Sequence, residues 1–260
     1  MKLYSSVYRS NSPLLFTCEH GSKRFPRDYG QLGLTKKKLA NCKDWNDPGS
    51  LELAQLLSNA FDASLIAANF SRLFIDANRR LDAKIVHGNT FHTSALKQCL
   101  LIDDGKQEKL IDIPGNLSSN VQREERNRWN EYVAPFQARG LEIARKIREQ
   151  NGQVHVFQIH SFYPTYNGKK RRVDIDVASD KSSQLADRLI RTLRKSTDLV
   201  IGKNNPWGID VVDGGVFDAI QHEANSTLIA FDVNNKHLQT PAKIKRIAKI
   251  LIAALRQNLV

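Results

Sequence analysis

Apolar residues gather along this chain in short runs of strand length, at 14–18, 63–68, 154–159, 173–177, 198–202 and 227–233, several rich in Val, Ile, Leu and Phe. Between these runs the apolar positions recur at helical spacing. Ser50 stands where it can cap a helix carrying Leu51, Leu53, Ala54, Leu56, Leu57 and Phe61. A charged stretch from about 120 to 150 carries Trp129, Tyr132, Val133, Phe136, Leu141 and Ile147. Pro135 predicts a break in it, because proline lacks an amide hydrogen and crowds the preceding turn. Further helices are predicted at about 181–196 and at the C-terminus, where Ile244, Ile247, Leu251 and Leu255 recur. Strands alternating with helices predict an α/β fold, a three-layer sandwich with a central mixed, mostly parallel sheet and helices on both faces.

Residues 80–119 depart from this rhythm. They hold Gly88, Gly105, Pro114 and Gly115 with weak periodicity, and read as an excursion from the core that can line a substrate pocket. With 260 residues, 41% of them hydrophobic, the chain can bury a large core, and 1–260 is expected to form a single α/β domain with this excursion.

Charge narrows the partners. Lys and Arg number 39 against 27 Asp and Glu, a net +12 that suits an anionic small-molecule substrate, nucleic acid or a membrane surface. The basic residues are dispersed, with small clusters at Lys36–Lys38 and Lys169–Arg172, and no aromatic pattern interleaves them as single-strand binding requires. Nucleic acid is therefore not the expected partner. The N-terminus has no apolar signal core and no run reaches the length of a membrane span, so no membrane association is expected. Cys18, Cys42 and Cys99, an odd and scattered set, argue against a disulfide framework and for a cytoplasmic protein.

Two strand ends carry chemistry. The run at 14–18 stops at Glu19-His20-Gly21, and the run from Val154 continues into His160-Ser-Phe. Two histidines at the ends of strands in a parallel sheet can share a metal ion, and a carboxylate of Asp44-Trp-Asn-Asp47, just before the first long helix, would complete a two-His, one-carboxylate zinc set. The bland readings differ. His155 alternates with Val154 and Val156 and reads as an outward-facing strand residue, Cys18 as a buried apolar thiol, and Ser161 as a support for its neighbour.

Six ordered blocks carry a resemblance over most of the chain. They are Cys18-Glu-His20-Gly-Ser with Pro26; Asp47-Pro-Gly-Ser50; Ser71-Arg72-Leu-Phe-Ile-Asp76-Ala-Asn78-Arg79; Ile113-Pro-Gly-Asn116; His160-Ser-Phe-Tyr-Pro164; and Asn204-Asn-Pro206-Trp207. Together they resemble the N-formylglutamate amidohydrolase family, whose fold is related to the zinc carboxypeptidases and is phosphorylase/hydrolase-like. The third block is the most specific.

The resemblance implies a metal-dependent hydrolase acting on a small N-formyl or N-acyl amino acid. It implies one Zn2+ held by His20, Asp47 and His160, with Asp47 selected over Asp44 by its distance to Ser71-Arg72. A late-strand carboxylate acts as base in the related enzymes, and Asp232 stands where the family carries Glu. A substrate carboxylate calls for an arginine fork. Arg79 with Asn78 is the first candidate and Arg72 the second, each with a structural ion pair as its bland alternative. The chain departs from the family at Gln137, which replaces a histidine, and at Asn234, which replaces an arginine. Two other readings stay open on the sequence: a zinc carboxypeptidase or peptidoglycan amidase on the same fold, and a non-catalytic, basic, nucleic-acid-binding relative.

Overall fold

A strand whose residues are all buried needs neighbours in the sheet and cover on both faces, and in the computed structural model the run at 14–18 has both. The structure describes all residues except 44, 80, 82–84, 88–89, 93–98, 103–107, 118, 167, 180–182, 206–219, 221–222 and 260, and the side chains of 85–87, 90–92 and 99–102 are likewise outside the description. The strands are β1 (Tyr4–Val7), β2 (Leu14–Cys18), β3 (Ser64–Ala68), β4 (Ile85–His87), β5 (Thr90–His92), β6 (Cys99–Ile102), β7 (Glu108–Ile111), β8 (Val154–Phe162), β9 (Thr165–Tyr166), β10 (Lys169–Lys170), β11 (Ile175–Ser179), β12 (Ile201–Lys203) and β13 (Ser226–Asn234). The helices are α1 (Lys36–Ala40), α2 (Ser50–Ala60), α3 (Val121–Arg128), α4 (Ala134–Asn151), α5 (Gln184–Ser196) and α6 (Pro241–Asn258).

Seven strands form one sheet in the order β1, β3, β2, β8, β13, β11, β12. The inner four, β3, β2, β8 and β13, run parallel. At the edges β1 is antiparallel to β3, and β11 is antiparallel to β13 while parallel to β12. This is the mixed, mostly parallel sheet expected. Strand β1, whose exposed and half-buried residues alternate, was not predicted, because an edge strand of four residues carries no apolar run.

The two faces separate by residue parity. On one face Leu14, Phe16, Phe157, Ile159, Ile229 and Phe231 join buried residues of α2, α5 and α6 in a single core. Phe157 stacks on Phe16 and on Phe231 at 5.7 and 5.6 Å between ring centroids. On the other face Leu15, Ile66, Val154, Val156 and Leu228 pack with Ile143, Ala144 and Ile147 of α4. Helices therefore cover both faces. The break predicted at Pro135 takes a particular form: α3 passes into a π-helical turn, Trp129–Val133, and α4 restarts with Pro135 in its first turn, where no amide hydrogen is needed.

Two expectations change. His155 shares the face of Phe157, is half-buried, and has its pKa lowered by burial and by Arg188 of α5, so it does not face outward. Cys42 is disulfide-bonded while Cys18 is free and buried. An odd number of cysteines leaves one over but does not prevent a bridge, so the cysteines give no argument for a reducing compartment. Within 80–119 the backbone forms two hairpins, β4 with β5 and β6 with β7, but most of the excursion, and with it any pocket it lines, lies outside the described residues. Among the described residues no helix is long and apolar enough to cross a membrane.

Asp174 ties the late part of the sheet together. Its carboxylate accepts from Lys236 Nζ at 2.5 Å, His237 Nε2 at 2.8 Å and the amide of Val200 at 2.9 Å. Although burial opposes ionisation, these partners lower its pKa from the ordinary 3.8 to about 2. A carboxyl depressed on folding stabilises the protein above its unfolded pKa, and that contribution is lost as the pH falls through the folded value. Asp174→Asn is therefore expected to lower stability by about 2 kcal/mol at neutral pH. Urea midpoints of wild type and variant should converge as the pH drops from about 5 towards 2, whereas an equal gap at both ends would show that shape and not charge is at work.

Candidate metal centre and its surroundings

On the α4 face the strands turn from apolar to polar partway along. β2 passes from Leu15 to Thr17 and then Glu19, β8 from Val156 to Gln158 and His160, and β13 from Leu228 and Ala230 to Asp232. Register aligns the changes: Thr17 opposes Gln158, His160 opposes Asp232, and Asp232 opposes Asp176 of β11. The C-terminal ends of the parallel strands thus carry a polar layer, as open α/β sheets do where they bind ligands.

Asp47 enters this layer from the start of α2. Its amide donates to the carbonyl of His20 at 2.8 Å, and Ser50 Oγ donates back to the carbonyl of Asp47 at 2.8 Å. The turn between them needs Gly49, whose φ of +78° is left-handed and whose missing Cβ would lie 2.6 Å from Leu238 Cβ. The chain is thereby bent so that the carboxylate points at the histidines.

His20, Asp47 and His160 are all buried, and each offers a ligand atom within 4.8 Å of the others. The two imidazole rings lie 5.0 Å apart. Asp47 Oδ2 is 3.1 Å from His160 Nδ1 and accepts from the amide of Ser161 at 3.2 Å, while Oδ1 accepts from Arg72 at 3.0 Å. Burial opposes its charge, yet His20, Arg72 and His160 hold its pKa well below the ordinary value. Burial also opposes a charged His160, but the bond to Asp47 and the Glu19 and Asp232 carboxylates raise it to about 9.

Asp76, fully buried, accepts from the amide of Asn78 at 2.9 Å and lies 2.6 Å from His20 Nε2. This carboxylate fixes the ring of His20, as carboxylates behind metal-binding histidines do. His20 Nδ1, His160 Nε2 and Glu19 Oε2 are buried and make no hydrogen bond. Buried imidazole nitrogens without a hydrogen bond, on two histidines grouped with ionised Asp47, suit a divalent cation.

The other residues singled out from the sequence fall around this centre. Asp232 is half-buried in register with His160, and burial together with the charge of Asp47 raises its pKa. Asn78 Oδ1 accepts from Gln158 at 3.3 Å. Arg79 Nε lies 4.0 Å from Asp76. Arg72 bridges Asp47 at 3.0 Å and Asp76 at 3.4 Å, so its guanidinium serves the buried carboxylates. Cys18 points to the opposite face, against Ser50 Oγ, with its pKa pushed far up by burial. Asn234 caps the sheet end through Val173 O and Lys236 N, and Gln137 sits half-buried in the first turn of α4. Pro206, Trp207 and the discarded candidate Asp44 lie outside the described residues.

Three participants were not singled out from the sequence. Glu19 accepts from Thr17 Oγ1 at 2.6 Å and Gln158 Nε2 at 3.2 Å and approaches His160 Nε2 to 3.4 Å. Asp176 is buried opposite Asp232, its Oδ1 accepting from the amide of Asn205 at 2.9 Å, with burial first and Asp232 second raising its pKa to about 7. The signal for each was the parity of the strand, since Glu19, Gln158 and Asp176 all occupy positions that should face α4.

Removing one member of a buried ion pair leaves the other charge uncompensated. Arg72→Ala in metal-stripped protein should therefore cost about 3 kcal/mol by urea denaturation. A loss below about 1 kcal/mol would mean that Asp47 and Asp76 take up protons instead and that Arg72 is no clamp.

With the geometry in hand, comparison with known proteins gives a consistent result. The family model for N-formylglutamate amidohydrolase matches residues 12–233. No curated protein sequence matches. Among solved structures the chain is similar to gene product Atu2144 from Agrobacterium tumefaciens, at 28% identity and a TM-score of 0.81, covering 100% of this chain and 95% of that one. It is also similar to N-formylglutamate amidohydrolase from Ralstonia eutropha JMP134, at 16% identity and a TM-score of 0.68, covering 100% and 98%, a likeness of fold. The family match over most of the chain decides the matter: this protein belongs to the N-formylglutamate amidohydrolase family and is an amidohydrolase acting on a carbon–nitrogen bond.

Proposed function

We propose that the protein is a zinc-dependent amidohydrolase that splits a small, anionic N-formyl or N-acyl amino acid, of which N-formylglutamate is the simplest case. The observation that carries the reading is the meeting of His20, Asp47 and His160 in one buried cluster with two imidazole nitrogens lacking any hydrogen bond. Those three residues would hold the ion, which when bound polarises an amide carbonyl and acidifies water.

The chain's own groups do the rest. Asp76 holds His20 through Nε2, which leaves Nδ1 as the lone-pair atom. Arg72 keeps Asp47 ionised. Asp232, in register beside His160, is the general base: it takes a proton from the attacking water as the new carbon–oxygen bond forms, and returns it to the nitrogen as the carbon–nitrogen bond breaks. Its raised pKa suits both halves of that exchange. Aspartate is one methylene shorter than glutamate, and the strand register sets it directly beside His160. Arg79, with Asn78, is the residue for a substrate carboxylate, buried within 4.0 Å of Asp76 at the edge of the cluster.

The assay is direct. Purified protein supplied with one equivalent of zinc should release formate and glutamate from N-formyl-L-glutamate. Asp232→Asn should lower kcat at least about 100-fold while leaving zinc content unchanged. Asp47→Ala with His160→Ala should abolish zinc retention and activity together. Failure on every N-formyl and N-acetyl amino acid, with release of C-terminal residues from peptides, would replace this reading with a carboxypeptidase.

A further inference from the structure

Positive charge is not spread evenly over the fold. Helices α5 and α6 together carry nine Lys and Arg residues against one acidic residue, Asp187, in a chain whose whole excess is +12. Both helices cover the sheet face of Phe16, Phe157 and Phe231, whereas the metal cluster lies on the α4 face. Most of the excess therefore stands across the sheet from the metal cluster, and substrate recognition there does not account for it.

Some of these cations have partners within the fold. Arg194 donates to Ile201 O at 3.0 Å, Lys243 to Lys236 O at 2.9 Å and Arg256 to Ala60 O at 3.5 Å. Asp187 is bound by Lys203 at 2.7 Å, with Arg191 adding to the positive field around it. Arg188, Arg191 and Lys195 are different. All three are exposed, and none makes a hydrogen bond or an ion pair among the described residues.

Their spacing, i, i+3 and i+7, sets them on one face of α5 along about 10 Å of helix. That face is one wall of a cleft of about 360 Å³ against the last turn of α6. Thr192 lies between the cations, and its Oγ1 accepts from Asn258 Nδ2 at 3.0 Å, joining the two helices at the cleft. The Thr192 hydroxyl hydrogen has no acceptor among the described residues and can donate to a ligand. Two guanidinium forks, an ammonium and a hydroxyl donor, with no carboxylate among the lining residues, suit phosphate oxygens. A single phosphate is shorter than the row of cations, whereas linked phosphates extend along it. No aromatic side chain lines the cleft for a base to stack on, which favours a small anion over a nucleic-acid strand.

We propose that the cleft between α5 and α6 is a binding site for a chain of linked phosphates, either inorganic or the tail of a nucleoside triphosphate, held by Arg188, Arg191 and Lys195 with Thr192. The site shares no residue with the metal cluster.

Calorimetric titration of the full-length protein at an ionic strength of about 0.15 M, with inorganic tripolyphosphate as the probe, tests the assignment. One saturable site is expected, binding tripolyphosphate at least about 10-fold more tightly than inorganic phosphate. Arg188→Gln with Arg191→Gln should weaken binding at least about 10-fold. Lys245→Gln with Lys249→Gln, which removes the same charge from α6 outside the cleft, should weaken it less than about threefold. All four positions are exposed, so neither variant disturbs the core. ATP bound as tightly as tripolyphosphate or more so points to a nucleotide, and weaker binding of ATP points to the inorganic chain; either sustains the site. Absence of saturable binding overturns it, as does equal weakening by both double variants, which means diffuse charge only, or weakening by neither, which puts the anion elsewhere. A single-stranded oligonucleotide that binds more tightly than tripolyphosphate, and is weakened equally by both variants, replaces the small-anion site with a nucleic-acid surface.

Discussion

The burial of Asp47 is the constraint on which the site depends. An ionised carboxylate cannot sit in the interior without compensation. Here it is met from several directions: Arg72 on Oδ1, His160 and the amide of Ser161 on Oδ2, and His20 near by at 3.5 Å. These partners come from three parts of the chain: the end of β2, the segment after β3, and β8. Satisfying one charge therefore docks the start of α2 onto three strand ends, and the same contacts bring His20, Asp47 and His160 together. A second buried carboxylate, Asp76, repeats the solution with the same arginine and the same histidine.

The rest of the structure holds the segment between Phe70 and Arg79 in place so that this can happen. Arg128, almost wholly buried, donates to Phe74 O at 3.0 Å, Gly115 O at 2.7 Å and Asn116 Oδ1 at 2.8 Å, and its guanidinium carbon lies within cation–π distance of Tyr29 and Phe74, at 4.6 and 4.8 Å. Asn116 in turn donates to Leu73 O at 2.9 Å. The Ile113-Pro-Gly-Asn116 block thus clamps the segment between Phe70 and Arg79. Gly115 permits the clamp, since a Cβ there would meet Leu32 Cα at 2.8 Å. Ser71 completes the attachment by donating to Trp45 O at 2.7 Å, next to the Asp47 turn.

Much of this was legible in the order of residues. The buried strands announced themselves as apolar runs because they are covered on both faces, and the run from Val154 pointed to a strand that proves three residues longer, carrying His160 within it. Edge strand β1 was silent because one-sided burial over four residues leaves no run. At the site the histidines stood out at the ends of apolar runs and Asp47 through the family resemblance, whereas Glu19, Gln158 and Asp176 did not, because each reads as an ordinary polar residue until strand parity turns it towards α4. The grip of Arg72 on two carboxylates is a matter of three-dimensional closure, and no spacing along the chain reveals it. The same is true of Cys42: a count of cysteines does not say which of them approach one another.

The central claim is that one divalent cation belongs among His20, Asp47 and His160. Crystals grown with zinc and measured on either side of the zinc absorption edge test it without any assumption about substrate. The account predicts a single strong anomalous peak, bonded to those three side chains, with Asp76 still on His20 Nε2. A peak at other residues, or none at this cluster with zinc in excess, would contradict it and leave the buried carboxylates as a structural network alone.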